Sequence, residues 1–416
     1  MDFELPAEDD PRRHEVRAWL AGHPKPSARQ LAESGYVVPH WPRPYGLGAD
    51  PVSQLVIDDE LHRAGVRRPI NPIGIGWAGP TILFAGTPEQ QERYLLPMLA
   101  GEEFWCQLFS EPGAGSDLAG LGTRAVRDGE EWVVNGQKIW TSGAQFAQFG
   151  ILIARTDPDV AKHKGITYFV CPMDLPGIEI RPIRTMTGVP SFNEVFFTDV
   201  RIPAANVVGD VNDGWRLAKV TLGNERVSLS SGGVLWGSGP TALDLLDAVR
   251  ATGPVTDPVA RQRLAGLYIE HTVLELIRLR TLTARLKGEQ PGPEASVRKI
   301  LADEHGQHVM AAARDLTGPW ALLTGGDGLG RSAGGRRGGE EDLSLSPDKP
   351  EPDLHDRNWY SGYLFSQALT IGGGTGEVQR NIVAERVLGL PHDVNVEAGL
   401  SWAESARGAR ATVTAG

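Results

Sequence analysis

The hydrophobic pattern changes character twice along the chain, and this order restricts the fold more than any other feature. Residues 1–105 carry apolar side chains near helical spacing, 106–212 contain short apolar runs between Pro, Gly and Asp, and 213–416 return to helical spacing. Short bounded runs are typical of β-strands, and apolar positions three to four residues apart are typical of helices. The sequence therefore predicts an α+β protein with three domains over these ranges, the first helical, the second mainly β and the third helical.

Capping and turn signals locate elements within each domain. Thr87-Pro88 is a plausible start for a helix over 88–99, and Asn135-Gly136 predicts a β-hairpin turn between two runs in 131–140. A low-complexity loop rich in Gly, Pro and charge, 325–353, interrupts the last domain. The other elements are predicted as helices over 52–64, 213–231, 240–250, 258–287, 294–316 and 376–389, and as strands over 150–154, 166–171, 178–183 and 194–197.

Charge and cysteine content restrict the functional class. The formal net charge of −11 argues against a nucleic-acid partner, but a local basic patch could still bind an anionic substrate. Cys106 and Cys171 are too few for a disulfide framework or a metal cluster and fit a reducing cytoplasm. No apolar run reaches the roughly 18 residues of a membrane span, and the N-terminus lacks the pattern of a signal peptide. We therefore expect a cytoplasmic protein without a membrane or nucleic-acid partner.

Two turns carry groups suited to a cofactor. Residues 109–117 combine two glycines with Ser110 and Ser116, and such loops offer backbone N–H groups and hydroxyls to flavin carbonyls or phosphates. In residues 138–143 the ring of Trp140 stands beside two hydroxyls, a combination that suits a planar conjugated ring. The alternatives are a surface turn for the first and a strand end with a half-buried Trp for the second.

A third turn, 371–380, contains three consecutive glycines followed by Thr375, a good N-cap for the next helix. It could equally be a simple helix-entry turn. His305 and His308 have the i, i+3 spacing of possible metal ligands, but no third ligand is evident and a solvated helix face is the expected reading.

Glu225 is the most informative single residue. On a helical wheel for 213–231, Arg216, Lys219 and Arg226 share a polar face, whereas Glu225 falls on the apolar side beside Thr221. Partial desolvation makes a carboxylate a stronger base, which is what proton abstraction requires. The alternative is a buried structural Glu satisfied by an Arg or by backbone donors.

Five segments in one order resemble the acyl-CoA dehydrogenase family, and the resemblance is closest to actinobacterial members of the fatty-acid and steroid side-chain type. The resemblance covers roughly residues 30–320 and 357–391. It rests on LFSEPGAGSDLAG (108–120), NGQKIWTSGA (135–144), FNEVFFTDVRIP (192–203), GWRLAKVTLGNER (214–226) and GGTGEVQRNIVAERVLGLP (373–391).

The resemblance implies an N-terminal helical domain, a middle β-barrel-like domain and a C-terminal four-helix bundle, with FAD between the last two. It implies that a carboxylate removes the α-proton of an acyl-CoA while flavin N5 accepts the β-hydride, giving a trans-2-enoyl-CoA. Electrons would leave through an electron-transfer flavoprotein, and the chain would form a homo- or hetero-oligomer, a dimer or tetramer.

The resemblance also implies roles for individual residues. Ser116, Arg226 and Gly373 would lie at the substrate. Residues at the flavin would be Gln107, Phe109, Ser110, Gly115, Ser116, Trp140, Thr141, Ser142, Thr375 and Glu377.

The chain departs from the family pattern at the usual catalytic position. Many members carry a Glu two residues before the Thr of the last motif, where this chain has Gly373. In other branches the base precedes an Arg on an earlier helix, and Glu225 before Arg226 occupies that position. The helical wheel and the resemblance thus indicate the same base.

Two further segments, near 250–263 and 313–323, differ from the family segments that contact FAD across subunits. These differences fit heteromeric members and leave two alternatives to a dehydrogenase. One is a non-catalytic partner subunit of a heteromeric acyl-CoA dehydrogenase, and the other is a flavin oxidase or monooxygenase of the same fold.

Overall fold

The computed structural model describes residues 6–229, 234–236, 239–286, 292–293, 295–319 and 358–406, and of 226–229, 282, 285, 286 and 358 only the backbone. The predicted loop 325–353 lies outside the described residues.

Short polar side chains begin most of the N-terminal helices. The helices are Pro11–Gly22 (α1), Ala28–Glu33 (α2), Pro51–Arg63 (α3), Gly79–Ala85 (α4) and Pro88–Leu99 (α5). The predicted cap of α5 is confirmed, because the Thr87 side chain accepts from the Gln90 backbone N–H while the Gln90 side chain accepts from that of Thr87. Ser27 and Gln30 form the same reciprocal cap on α2, whereas Asp10 and Asp50 cap α1 and α3 only by accepting from backbone N–H groups.

The middle part of the chain forms one seven-stranded sheet in the order β1-β4-β2-β3-β7-β6, with β5 paired to β4. Its strands are Trp105–Leu108 (β1), Arg124–Asp128 (β2), Glu131–Ser142 (β3), Phe149–Arg155 (β4), Ile166–Pro172 (β5), Ile178–Ile183 (β6) and Phe192–Pro203 (β7). Both faces of β4 are covered. Ile151 and Ile153 pack in a core shared with the N-terminal helices, whereas Leu152 and Ala154 pack in a second core beneath the sheet.

The predicted hairpin at Asn135-Gly136 is wrong. Strand β3 runs through this point with a β-bulge, and the reversal occurs instead at Gly129, between β2 and β3. The Asn135 side chain bonds Asp199 on β7 in both directions, with Nδ2 donating to Oδ1 at 2.9 Å and Oδ1 accepting from the Asp199 N–H at 3.0 Å. The Asn therefore stabilises a cross-strand irregularity, where Asp199 has a φ of 49°, and not a turn.

The C-terminal helices surround one central helix. They are Gly214–Leu229 (α6), Ala242–Ala251 (α7), Pro258–Leu286 (α8), Ala295–Thr317 (α9), Asn358–Ser366 (α10) and Gly376–Ile382 (α11). Helix α9 contacts each of the other five. Helix α10 was not predicted, and the helix predicted over 376–389 continues after α11 only as the π-helical turn Val383–Val387. None of the helices in the described ranges is long and apolar enough to cross a bilayer.

Helix α9 carries a buried ion pair. Lys299 Nζ lies 2.6 Å from Asp303 Oδ2, and the two side chains are 1% and 6% exposed. Burial raises the pKa of Asp303 to about 6, against the opposing effect of Lys299.

The two histidines of α9 do not share a solvated face. His305 is 3% exposed and its Nδ1 lies 2.8 Å from Glu270 Oε2 on α8, whereas His308, 57% exposed, lies 3.1 Å from Oε1 of the same carboxylate. Burial lowers the pKa of His305, although Glu270 opposes the shift. The pair thus joins α8 to α9. In the part of the chain that the structure describes, no group of three or more His, Cys, Asp or Glu is arranged to hold a metal.

Candidate active site

The buried face of helix α6, which carries Glu225, packs against α4 and the strands β1 and β5. Ala218 and Thr221 are fully buried and Glu225, one turn after Thr221, is 8% exposed, which confirms the burial expected from the helical wheel. Gln107 on β1 directs its amide Nε2 to Glu225 Oε2 at 3.4 Å. A carboxylate withdrawn from solvent and held by a neutral donor is suited to accept a proton. Arg226 follows it on α6, but its side chain lies outside the described residues.

Three hydroxyls from three parts of the chain meet one turn before Glu225. Thr221 Oγ1 lies 2.8 Å from Thr81 Oγ1 on α4 and 3.0 Å from the Tyr168 hydroxyl on β5. All three side chains are fully buried, and burial raises the pKa of Tyr168. This cluster fixes α6 against both α4 and the sheet, and so fixes the position of Glu225.

Strand β3 has a bulge that contains Trp140 and ends before Thr141. The register with β7 shifts between Lys138 and Thr141, and Trp140 has a φ of 60°, which a side chain of this size rarely adopts. Its ring is left 57% exposed. Thr141 is buried, and its Oγ1 has no hydrogen-bond partner among the described atoms. The Trp140 ring packs edge-to-face on Phe192, with centroids 6.0 Å apart. An exposed aromatic ring beside a buried hydroxyl is a combination that could contact a planar, polar ligand. Ser142 ends the strand, half-buried.

The loop over 109–117 is anchored from beneath by a buried ion pair. Lys138 Nζ donates to Phe109 O at 3.0 Å and to Glu111 Oε1 at 2.7 Å. Burial lowers the pKa of Lys138. Burial opposes ionisation of Glu111 as well, but Lys138 and the hydrogen bonds from Gly122 and Thr123 together lower the pKa of Glu111. Glu111 also accepts from the backbone N–H groups of Gly122 and Thr123 at 2.6 and 3.0 Å. The loop therefore has a fixed base.

The outer side of this loop is open. Gly115 and Ser116 are exposed, and a Cβ placed on Gly115 would meet no atom within 4 Å. Phe109 turns inward and packs edge-to-face on Tyr168, with ring centroids 6.0 Å apart, while the carbonyl of Ser110 accepts from the Ile139 N–H at 2.9 Å. Backbone groups of the outer turn thus remain accessible to a ligand.

The glycine turn before α11 adopts the left-handed region. Gly373 and Gly374 have φ of 66° and 91°, and Thr375 caps α11 by accepting from the Val378 N–H, as predicted. Glu377, in the first turn, is 82% exposed. Helix α11 packs on α9, which in turn packs on α6.

Some of the predicted site residues contact one another directly, and others are joined by way of further elements of the described structure. Gln107 and Glu225 touch directly, and Phe109 reaches α6 through Tyr168. Thr375 and Glu377 lie at the start of α11, which packs on α9, and α9 packs on α6. Sequence reasoning missed Lys138 as the anchor of the 109–117 loop, although its position in β3 falls in the same alternation as the buried Trp132 and Val134.

Three family models match consecutive parts of the chain. They are described as acyl-CoA dehydrogenase N-terminal domain, matching 7–102, middle domain, matching 106–200, and C-terminal domain, matching 212–388. The chain is 44% identical to acyl-CoA dehydrogenase FadE34 of Mycobacterium tuberculosis over 87% of its own length. It spans only 45% of the length of that relative.

Solved structures give the same result. The structure titled Tcur3481-Tcur3483 steroid ACAD is 30% identical, with a TM-score of 0.71 over 94% of this chain and 100% of that chain. The ChsE4-ChsE5 complex from Mycobacterium tuberculosis is also 30% identical, with a TM-score of 0.70 and the same coverage. These matches extend over the helices, the sheet and the candidate site together. The chain belongs to the acyl-CoA dehydrogenase family.

Proposed function

We propose that this chain catalyses FAD-dependent α,β-dehydrogenation of an acyl-CoA, with Glu225 as the base that removes the α-proton. The observation that carries the proposal is the buried carboxylate of Glu225 on α6, held by Gln107. Family members carry the base at one of two positions. In this chain one of them is Gly373, which has no side chain, and the other is Glu225.

The residues present fit FAD. The unpartnered Thr141 Oγ1 would bond a polar atom of the ring system, and the exposed Trp140 ring would cover one of its faces. When bound, FAD would supply the acceptor for the β-hydride. The other residues that would hold it are Gln107, Phe109, Ser110, Gly115, Ser116, Ser142, Thr375 and Glu377.

Glu225 would receive the proton within a site that limits access of water. Burial keeps its carboxylate poorly solvated, and the Gln107 amide donates to Oε2, which would orient the carboxylate toward the substrate α-carbon. The hydroxyl cluster of Thr81, Tyr168 and Thr221 holds the helix that bears it. Gln107 and the hydroxyl cluster would therefore assist the chemical step by orienting Glu225.

A bulky acyl group is the proposed substrate class. Gly373 leaves space where many family members have a Glu, and a solved relative at 30% identity is titled a steroid ACAD. Ser116 and Arg226 would bind the acyl-CoA near the pantetheine. The electrons would then pass to an electron-transfer flavoprotein.

The test is anaerobic reduction of the purified flavoprotein by straight-chain, branched and steroid side-chain acyl-CoAs. Loss of flavin absorbance with one class identifies the substrate. Glu225→Gln should retain FAD but slow reduction by roughly 100- to 10,000-fold, the usual contribution of a general base. Glu130→Gln, at a residue whose side chain is 93% exposed, is the matched control. Full reduction of Glu225→Gln by every accepted substrate would contradict the assignment.

A second candidate function is that of a partner subunit in a heteromeric enzyme. Two observations favour it, namely that a relative of 30% identity was solved as the ChsE4-ChsE5 complex and that FadE34 is more than twice the matched length. Such a chain, purified alone, would be colourless, and co-expression with a homologous chain would restore flavin. A yellow, active homo-oligomer would exclude it.

A further inference from the structure

The segment 394–406, which we call the docking segment, returns from the C-terminal helices to the sheet. The Trp402 backbone N–H donates to Val160 O at 2.8 Å, and the Ala403 N–H donates to Pro158 O at 2.9 Å. Residues 402–406 then form a helical turn. The segment is therefore fixed to the connection between β4 and β5, far along the chain from its own helices.

Trp402 reaches the second half of the loop that begins at Phe109. Its Nε1 donates to Gly120 O at 3.1 Å, and a Cβ on Gly122 would lie 3.8 Å from its ring. The Arg155 guanidinium lies 5.0 Å from the centre of the indole and donates to Ala119 O at 2.6 Å. One indole thus contacts both the loop backbone and the buried cation that supports it.

Two ion pairs of Lys162 also join the docking segment to the loop, at Asp117. Lys162 Nζ lies 2.9 Å from Asp117 and 2.5 Å from Glu397 of the docking segment. Ser405 donates to the same Glu397 carboxylate. Because Asp117 immediately follows Ser116, these ion pairs end beside the residues assigned to the flavin.

The loop is consequently held from two independent sides. Lys138 and Glu111 anchor its base from β3, and the docking segment holds residues 117–122 from outside. Between these supports lie Gly113 and Gly115, where no neighbour lies within 4 Å of an added Cβ. Without the outer support, this glycine-containing turn would have to be ordered when a ligand binds, at a cost in affinity.

We propose that the docking segment preorganises the 109–122 loop for flavin, and that Trp402 is a positioning residue for that cofactor. The inference rests on the proposed function, since it assumes that the loop binds FAD. It assigns to a segment remote from the reaction the role of setting FAD affinity.

The experiment compares Trp402→Phe, Trp402→Ala and wild type in the full chain. Phe keeps a ring over Arg155 but loses the bond to Gly120 O, whereas Ala loses both. We expect the FAD dissociation constant of the apoprotein to rise roughly fivefold for Phe and roughly 20-fold for Ala. Val396→Ala, in the same segment but 86% exposed, is the control and should bind as wild type does.

Hydrogen exchange without FAD supplies a second readout. Amides of 117–122 should exchange faster in Trp402→Ala, with Trp402→Phe between it and wild type, while the N-terminal helices stay unchanged. Unchanged FAD affinity and loop exchange in Trp402→Ala would overturn the inference, and so would a uniform rise in exchange along the chain. If wild type binds no FAD, the proposed function fails, and exchange in the loop still decides whether Trp402 orders it.

Discussion

Gln107 and Glu225 stand 118 residues apart in the chain, and the amide Nε2 of the first lies 3.4 Å from Oε2 of the second. The contact joins the first strand of the sheet to the helix that bears the proposed base. On the strand side, the donor to the carboxylate is a neutral amide.

Gln107→Leu should therefore lower the limiting rate of flavin reduction by roughly tenfold, because the carboxylate loses one orienting hydrogen bond. Stopped-flow absorbance under anaerobic conditions measures this rate. Gln262→Leu, on the exposed surface of α8, is the control and should leave it unchanged. An unaltered rate in Gln107→Leu would mean that the contact does not orient the base.

Thr141→Val should change stability and FAD binding in opposite directions. Removing a buried hydroxyl that lacks a partner should stabilise the apoprotein by about 1 kcal/mol, whereas losing a flavin contact should weaken FAD binding roughly fivefold. Thermal unfolding of the apoprotein and FAD titration measure the two effects. Thr198→Val, at an exposed position of β7, serves for comparison. Destabilisation of the apoprotein by Thr141→Val would show that the hydroxyl already has a partner.

Gly373→Ala should discriminate between substrates by size. The added methyl group would occupy space left for the acyl group, so turnover of a steroid side-chain acyl-CoA should fall several-fold more than turnover of butyryl-CoA. Since Gly373 has a φ of 66°, Ala also costs about 1–2 kcal/mol of stability. Gly188→Ala, at a φ of 85° with open surroundings, carries the same type of strain away from the site. Equal losses for both substrates would argue against Gly373 as a substrate contact.

Asp303 should make stability depend on pH in the acidic range. Its pKa in the folded protein is raised from 3.8 to about 6, so the folded state retains a proton that the unfolded state has released. This contribution is fully present below pH 3.8 and is lost as the pH rises through about 6. Relative to Asp303→Asn, wild type should thus lose on the order of 2–3 kcal/mol across this window.

Urea unfolding of both proteins at several pH values between these limits checks this expectation. Asp159→Asn, at an exposed position after β4, should leave the pH dependence of wild type unchanged. A constant difference between wild type and Asp303→Asn would contradict the raised pKa.

Local patterns predicted what depends on local physics. The cap at Thr87 and the burial of Glu225 follow from capping chemistry and helical periodicity, and both are confirmed. Asn135 was misread because its amide bonds Asp199 on another strand, a contact that the sequence around a turn signal does not contain. His305 was misread for the same reason, since Glu270 on α8 supplies its partner.

In the candidate site, too, local features could be predicted from the sequence and contacts between distant residues could not. The site's loops and the proposed base were predicted from composition, helical periodicity and family resemblance, but the contacts that support them join residues far apart in the chain. Trp402 and Gly120 are separated by 282 positions. No periodicity links such residues, so the preorganisation of the site emerges only from the folded chain.

The hydroxyl cluster of Thr81, Tyr168 and Thr221 has an evolutionary consequence. Each member comes from a different section of the chain, and each satisfies the others in a place that water does not reach. A chimera that exchanged the sheet for one carrying Phe at position 168 would remove the bond that Tyr168 gives Thr221. A substitution at one of these three positions should therefore be accepted only with matching changes at the others. Recombination among relatives should keep the three residues together.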